Sequence, residues 1–85
     1  MPYSINARSI QQDLEALSLA IRIAIAARLE EVARSASKRP ERSDLALRFS
    51  GEAGWFEVDG IRVRYVIDPR TAEVRALGAI RRSLP

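Results

Sequence analysis

The segment Trp55–Ile67, with the sequence WFEVDGIRVRYVI, decides the fold of this chain. It contains two runs rich in β-branched and aromatic residues, separated by the pair Asp59-Gly60. An Asp-Gly pair between two such runs is a strong signal for a β-hairpin with a two-residue loop, because both loop positions need a positive φ. The sequence therefore predicts two antiparallel strands that turn at Asp59 and Gly60.

Fixing the loop also fixes which residues face each other across the hairpin. The entirely apolar pairs share one face of the sheet: Val58 with Ile61, and Phe56 with Val63. The pairs that contain a charge share the other face: Glu57 with Arg62, and Trp55 with Arg64. The apolar face is predicted to pack on helices. The other face presents arginines, an acid and an aromatic ring, and we expect Arg64 to stack on Trp55 through a cation–π contact.

The residues before the hairpin, 7–37, have a helical composition without Gly or Pro. Their apolar residues recur every three to four positions and form one stripe: Ile10, Leu14, Leu17, Ile21, Ile25, Leu29 and Val32. A single helix of that length would measure about 45 Å, which is too long for a domain of this size. We therefore predict a break at Leu17–Ser18, with Ser18 capping a second helix, and a helical hairpin that buries the stripe.

Three further segments are predicted to be strands. Residues 3–5 form a short edge strand, residues 45–49 alternate between apolar and other residues, and residues 73–81 form the last strand. The prediction is one α+β domain over residues 1–85, in the order β-α-α-β-β-β, with a helical hairpin on one face of a small antiparallel sheet. Arg48, on the strand next to the hairpin, is a further candidate for the charged face.

The composition excludes several classes of chemistry. The chain has 85 residues and contains neither cysteine nor histidine, which excludes a disulfide scaffold, thiol chemistry and histidine-based triads. We predict no metal site and no cofactor, since the usual zinc ligands are missing. No stretch is apolar enough to span a bilayer and no targeting segment is evident, so we expect a cytoplasmic protein without a membrane partner.

The charge is unevenly distributed along the chain. The net charge is +3, but residues 61–85 contain six basic and two acidic residues. Arginine side chains suit phosphate groups, so this basic segment suggests a nucleic-acid or acidic-protein partner. The alternative is an ordinary solvated basic surface.

Several motifs occur in the same order as in one known family. The segment Asp13–Leu17 reads DLEAL, Gly60–Asp68 reads GIRVRYVID, and Arg81-Arg82 follows near the end. In this respect the chain resembles the RelE/ParE superfamily, toxins of bacterial type II toxin–antitoxin systems. The resemblance implies a toxin that is neutralised by a cognate antitoxin. RelE-like members bind the ribosome and cut mRNA, where the 2′-hydroxyl of the RNA attacks the adjacent phosphate and cations stabilise the developing charge.

The resemblance also assigns candidate site residues. Arg62 and Arg81 match the family's two arginines and are the candidate catalytic residues, acting by electrostatic stabilisation. Candidates for binding RNA or a partner protein are Arg48, Trp55, Arg64 and Arg82.

Departures from the family pattern keep two other functions open. Glu57 stands where basic residues are common, Ile80 replaces a histidine, and a tyrosine after the last arginine is missing. The first alternative is a ParE-like protein that inhibits DNA gyrase without catalysis. The second is a toxin-like binding module that has lost its activity. Leu19 and Ile23 point away from the apolar stripe, which suggests a patch for an antitoxin helix or for a homodimer through the helical face.

Overall fold

The computed structural model describes residues 2–38 and 52–81. Its elements are strand β1 (Ser4–Asn6), a 3₁₀ turn (Arg8–Ile10), helix α1 (Gln11–Glu15), helix α2 (Leu19–Ser37), and strands β2 (Glu52–Val58), β3 (Ile61–Asp68) and β4 (Glu73–Arg81). The α+β class predicted from the sequence is confirmed, with α2 packed against a four-stranded sheet. The predicted strand at residues 45–49 lies outside the described residues.

The β2–β3 hairpin has the register predicted from the sequence. Val58 pairs with Ile61, and the pairing continues without interruption to Glu52 opposite Ile67. Asp59 and Gly60 have φ values of 50° and 80°, the left-handed conformation that a two-residue hairpin loop of this kind requires.

The order of strands in the sheet is β1-β4-β3-β2. The prediction of a purely antiparallel sheet is wrong, because β1 pairs with β4 in parallel, from Ser4 opposite Glu73 to Asn6 opposite Arg75. The chain reverses direction between β2 and β3 and again between β3 and β4, so that β4 runs in the same direction as β1. The start of β1 is fixed by the Ser4 N–H, which donates to the carbonyl of Ala72 at 2.9 Å.

The helical region breaks where the sequence predicts it. Ser18 has an extended conformation, and its hydroxyl accepts a hydrogen bond from the Ile21 N–H at 3.3 Å, which caps α2. The prediction of a helical hairpin is wrong for its first arm, since a 3₁₀ turn and the five-residue α1 replace one continuous helix. The tighter turn seats Ile10 against β4 with no exposed surface. Among the described residues, no helix is long and apolar enough to cross a membrane.

The core lies between α2 and one face of the sheet. The helix contributes Ile25, Leu29, Ala33 and Ala36, and the strands contribute Phe56, Ile61, Val63, Ile67, Val74 and Ala76. Of the predicted stripe, three residues are buried in the core, namely Ile10, Ile25 and Leu29. The other four, Leu14, Leu17, Ile21 and Val32, are half-buried and pack against it. The two alanines near the end of α2 allow the helix to approach the sheet closely.

Strand β4 contains a β-bulge. Arg64 pairs with Gly78 and Tyr65 pairs with Ala76, so Leu77 has no partner on β3. An extra residue reverses the alternation of side chains beyond it. Beyond the bulge, Ile80 therefore lies opposite Arg62.

Candidate functional site

The face of the sheet opposite the core is the candidate functional site, and we call it the outer face. Its residues nearest the hairpin loop are Trp55, Glu57, Arg62 and Arg64. Arg62 and Arg64 are both exposed, whereas the residues that precede each of them, Ile61 and Val63, are buried. The prediction that the two arginines project away from the core is confirmed.

Arg62 is held by two neighbours on β2. Its Nη2 and Nε donate to Oε1 of Glu57 at 2.9 and 3.3 Å. Its guanidinium carbon also lies 4.2 Å from the centre of the Trp55 ring. A carboxylate at one edge and an indole against its plane give this side chain a defined orientation, although it is 44% exposed.

The cation–π contact expected between Arg64 and Trp55 is made by Arg62 instead. Arg64 is directly opposite Trp55 in the register, whereas Arg62 is its diagonal neighbour. Diagonal neighbours are within reach of long and aromatic side chains in a twisted antiparallel pair. Within residues 2–38 and 52–81, Arg64 makes no hydrogen bond or ion pair.

A second ionic cluster occupies the other end of the outer face. Arg75 Nε lies 3.0 Å from Oε1 of Glu73, and its Nη2 lies 3.5 Å from Oδ2 of Asp68. The basic segment at residues 61–85 is therefore largely neutralised on this face, since Arg62 and Arg75 both have acidic partners. Sequence composition could not show this, because Glu57 lies in the neighbouring acidic segment.

The two candidate catalytic residues are not brought together on one face. Arg62 pairs with Ile80 on the outer face, whereas Arg81 pairs with the core residue Ile61 at the end of β4. Alternation from the buried residue Ala76 would place Arg81 on the outer face, and the bulge at Leu77 reverses it. Arg81 is exposed at the end of the strand.

The remaining candidates are placed as follows. Trp55 is 58% exposed on the outer face, and Arg48 and Arg82 lie outside the described residues. Leu19 and Ile23 are 64% and 61% exposed on α2, as the sequence predicts.

Two residues of the outer face escaped the sequence interpretation. Leu77 is 45% exposed at the bulge itself, and Ile80 is 63% exposed because the bulge reverses the alternation and turns it outward. Both residues are apolar, so nothing in their chemistry marks them as part of a site. Only the pairing of β4 with β3 shows that they lie on the outer face. Across the described residues, no cluster of three or more acidic side chains is placed to hold a metal ion.

No protein-family model matches the chain, and no curated protein or solved structure matches it either. The function is therefore argued from the site itself.

Proposed function

We propose that this protein is the toxin of a type II toxin–antitoxin system and that it cleaves mRNA on the ribosome, as RelE-like toxins do. The observation that carries the proposal is the oriented guanidinium of Arg62, on a sheet face that no described helix or strand covers. The order of elements in the described residues, a short strand, helices and an antiparallel hairpin followed by β4, is compatible with that family.

The proposed chemistry needs a fixed cation next to the scissile phosphate. The RNA 2′-hydroxyl gives up its proton to water and attacks the adjacent phosphorus, which forms a 2′,3′-cyclic phosphate. The bond from phosphorus to the 5′-oxygen of the next nucleotide breaks, that oxygen takes up a proton from water, and negative charge develops on the phosphate oxygens during the step. A cation that is oriented before the reaction stabilises this charge without reorganising. Glu57 and Trp55 orient Arg62 in this way, and its Nη1 has no hydrogen-bond partner among the described residues.

Arg81 is proposed to contact the RNA from the end of β4, beside the hairpin loop. Its backbone lies opposite Ile61, next in sequence to Arg62, so one RNA strand crossing this end of the sheet meets both arginines. The proposal therefore gives the two arginines a shared phosphate-binding role although their side chains lie on different faces of the sheet.

A cell-free translation reaction tests the proposal. We expect the wild-type protein to produce cuts in mRNA only when ribosomes are present, and Arg62→Ala to reduce the cleavage rate at least about 100-fold. Arg62→Lys should restore part of the activity, because it keeps the charge but loses the planar fork. The matched control is Arg34→Ala, which removes an exposed arginine from α2. Undiminished cleavage by Arg62→Ala would reject the site assignment.

The second candidate function is ParE-like inhibition of DNA gyrase without catalysis. It is favoured by the ion pair between Arg62 and Glu57 and by the separation of Arg62 and Arg81. In this case the protein would cut no mRNA and would accumulate gyrase–DNA cleavage complexes. A protein active in neither assay would be the third candidate, a toxin-like binding module.

The proposed partner is a cognate antitoxin in the cytoplasm of a bacterium. Leu19 and Ile23 are one helical turn apart and exposed, and they offer it an apolar patch. The competing occupant of this patch is a second copy of the chain. Sedimentation equilibrium of the isolated protein distinguishes the two, since a homodimer depends on concentration and is abolished by Leu19→Lys.

A further inference from the structure

We propose that Trp55 and Arg64 form a subsite for one nucleotide of single-stranded RNA, in which a base stacks on Trp55 and a phosphate binds Arg64. The inference rests on the proposed function and adds to it the residues and the number of phosphates that this part of the outer face recognises.

The two side chains are adjacent, and each has surface left for a ligand. Trp55 and Arg64 are directly opposite each other across β2 and β3, so their Cβ atoms are about 5 Å apart. Arg62 covers one face of the indole, yet 58% of the Trp55 surface stays exposed, which leaves ring surface for a base. Arg64 has no ionic or hydrogen-bonding partner within residues 2–38 and 52–81.

The sheet surface next to Arg64 on the β4 side is open. Arg64 pairs with Gly78 on β4, and a Cβ built on Gly78 would have no atom within 4 Å. Leu77 is exposed at the bulge beside this gap, and Ile80 follows two residues after Gly78. A flat group can therefore lie on the sheet between the indole on β2 and the apolar side chains on β4.

The balance of charge limits the ligand to about one phosphate in this subsite. Glu57 neutralises Arg62, and Asp68 and Glu73 flank Arg75, which leaves Arg64 as the unpaired cation among the described outer-face residues. Such a face does not attract polyanions in general. A nucleotide satisfies both members of the subsite, because its base matches the indole and its phosphate matches the guanidinium. An acidic peptide satisfies only Arg64.

Tryptophan fluorescence reads this subsite directly, because Trp55 is the single tryptophan in the chain. We expect hexauridylate and hexaadenylate RNA to quench the emission in a saturable way, whereas inorganic polyphosphate should not. Arg64→Ala should reduce the slope of the logarithm of the affinity against the logarithm of the salt concentration by about 0.7, the value for one phosphate on a single strand.

Variants separate the subsite from a general charge effect. Arg64→Ala should weaken binding about 3- to 10-fold, while Arg34→Ala should leave it unchanged. Trp55→Leu, followed by the anisotropy of fluorescein-labelled RNA, should weaken binding about 5- to 100-fold. Circular dichroism of each variant establishes that it is folded, and Trp55→Phe should retain part of the affinity because it keeps a smaller aromatic ring.

Several results would overturn the subsite. RNA that fails to quench the Trp55 emission, or polyphosphate that quenches it equally, would do so. Equal losses of RNA affinity in Arg64→Ala and Arg34→Ala would do so as well, and binding of polyglutamate in preference to RNA would point instead to an acidic protein partner. Ribosome-dependent cleavage with no effect of Trp55→Leu on RNA binding would refute the subsite but leave the proposed function standing. RNA binding by a protein that cuts no mRNA would support the subsite and refute the nuclease.

Discussion

At the scale of single residues, the glycines of the sheet carry different constraints. Gly54 lies opposite Tyr65 on β3, and the Tyr65 ring covers it so closely that a Cβ at position 54 would overlap the ring and its hydroxyl. Tyr65 is in turn within 6.1 Å of the Phe56 ring, centre to centre. The missing side chain at Gly54 therefore leaves room for the half-buried Tyr65 ring, whereas the space above Gly78 is open.

Gly54→Ala is expected to destabilise the protein by about 1–3 kcal/mol, because the added methyl group displaces Tyr65 from its contact with Phe56. Urea unfolding followed by tryptophan fluorescence measures this loss. Gly78→Ala is the matched control and should change the free energy of unfolding by less than about 0.5 kcal/mol. Equal stabilities of the two variants would contradict the packing of Tyr65 over Gly54.

At the scale of elements, the hairpin loop and the start of α2 are both governed by local chemistry. Gly60 has a φ of 80°, a conformation that costs any side-chain-bearing residue more than it costs glycine. Ser18 closes the first turn of α2 through its bond to the Ile21 N–H. These features involve residues that are neighbours in the chain, so the sequence predicts them well.

Gly60→Val should destabilise the hairpin by about 1–2 kcal/mol, since a β-branched residue is strained at positive φ. Asp59→Asn provides the comparison, because asparagine tolerates the same left-handed conformation at Asp59 and should preserve the stability. Thermal denaturation followed by circular dichroism is the measurement. A melting temperature for Gly60→Val equal to that of the wild type would argue against this turn.

Ser18→Ala should cost about 0.5–2 kcal/mol, because the Ile21 N–H loses its acceptor at the N-terminus of α2. Ser35→Ala serves as the control, since Ser35 is an exposed residue in the last turn of the same helix and alanine has the higher helix propensity. Chemical denaturation of both variants tests the cap. An equal loss in the free energy of unfolding for both variants would show that Ser18 does not act as a helix cap.

Non-local features of the elements escaped the sequence. The bulge at Leu77 has no composition signal, yet it moves Arg81 to the face opposite Arg62. The short α1 is set by the packing of Ile10 on β4, which no helical periodicity reveals. The sequence thus predicts the hairpin and the outward direction of its two arginines, Arg62 and Arg64. Which residues of β4 join the site depends on how β4 pairs with β3.

At the scale of the whole molecule, the stability depends on one small core. The fully buried large side chains of the described residues are Ile10, Ile25, Ile61, Val63 and Val74. A domain of this size has a small free energy of unfolding, so the cavity left by truncating one buried side chain removes a large fraction of it.

Ile25→Ala should therefore destabilise the fold by about 2–5 kcal/mol, enough to populate the unfolded state strongly at 37 °C. Ile23→Ala makes the same chemical change two residues away on α2, at a position that is 61% exposed, and should have little effect on stability. Differential scanning calorimetry compares the two. Similar melting temperatures of the two variants would contradict the conclusion that Ile25 faces the sheet and Ile23 faces away from it.

The parallel pairing of β1 with β4 makes one consequence unavoidable during protein synthesis. Residues 4–6 are translated early but bind residues 73–75, which are translated late. Strand β4 lies between β1 and β3 in the sheet, so in a nascent chain that lacks it β1 has no link to the β2–β3 hairpin. A ribosome making this protein therefore carries an incomplete molecule until the final strand emerges, and truncated translation products should be recognised as unfolded and degraded.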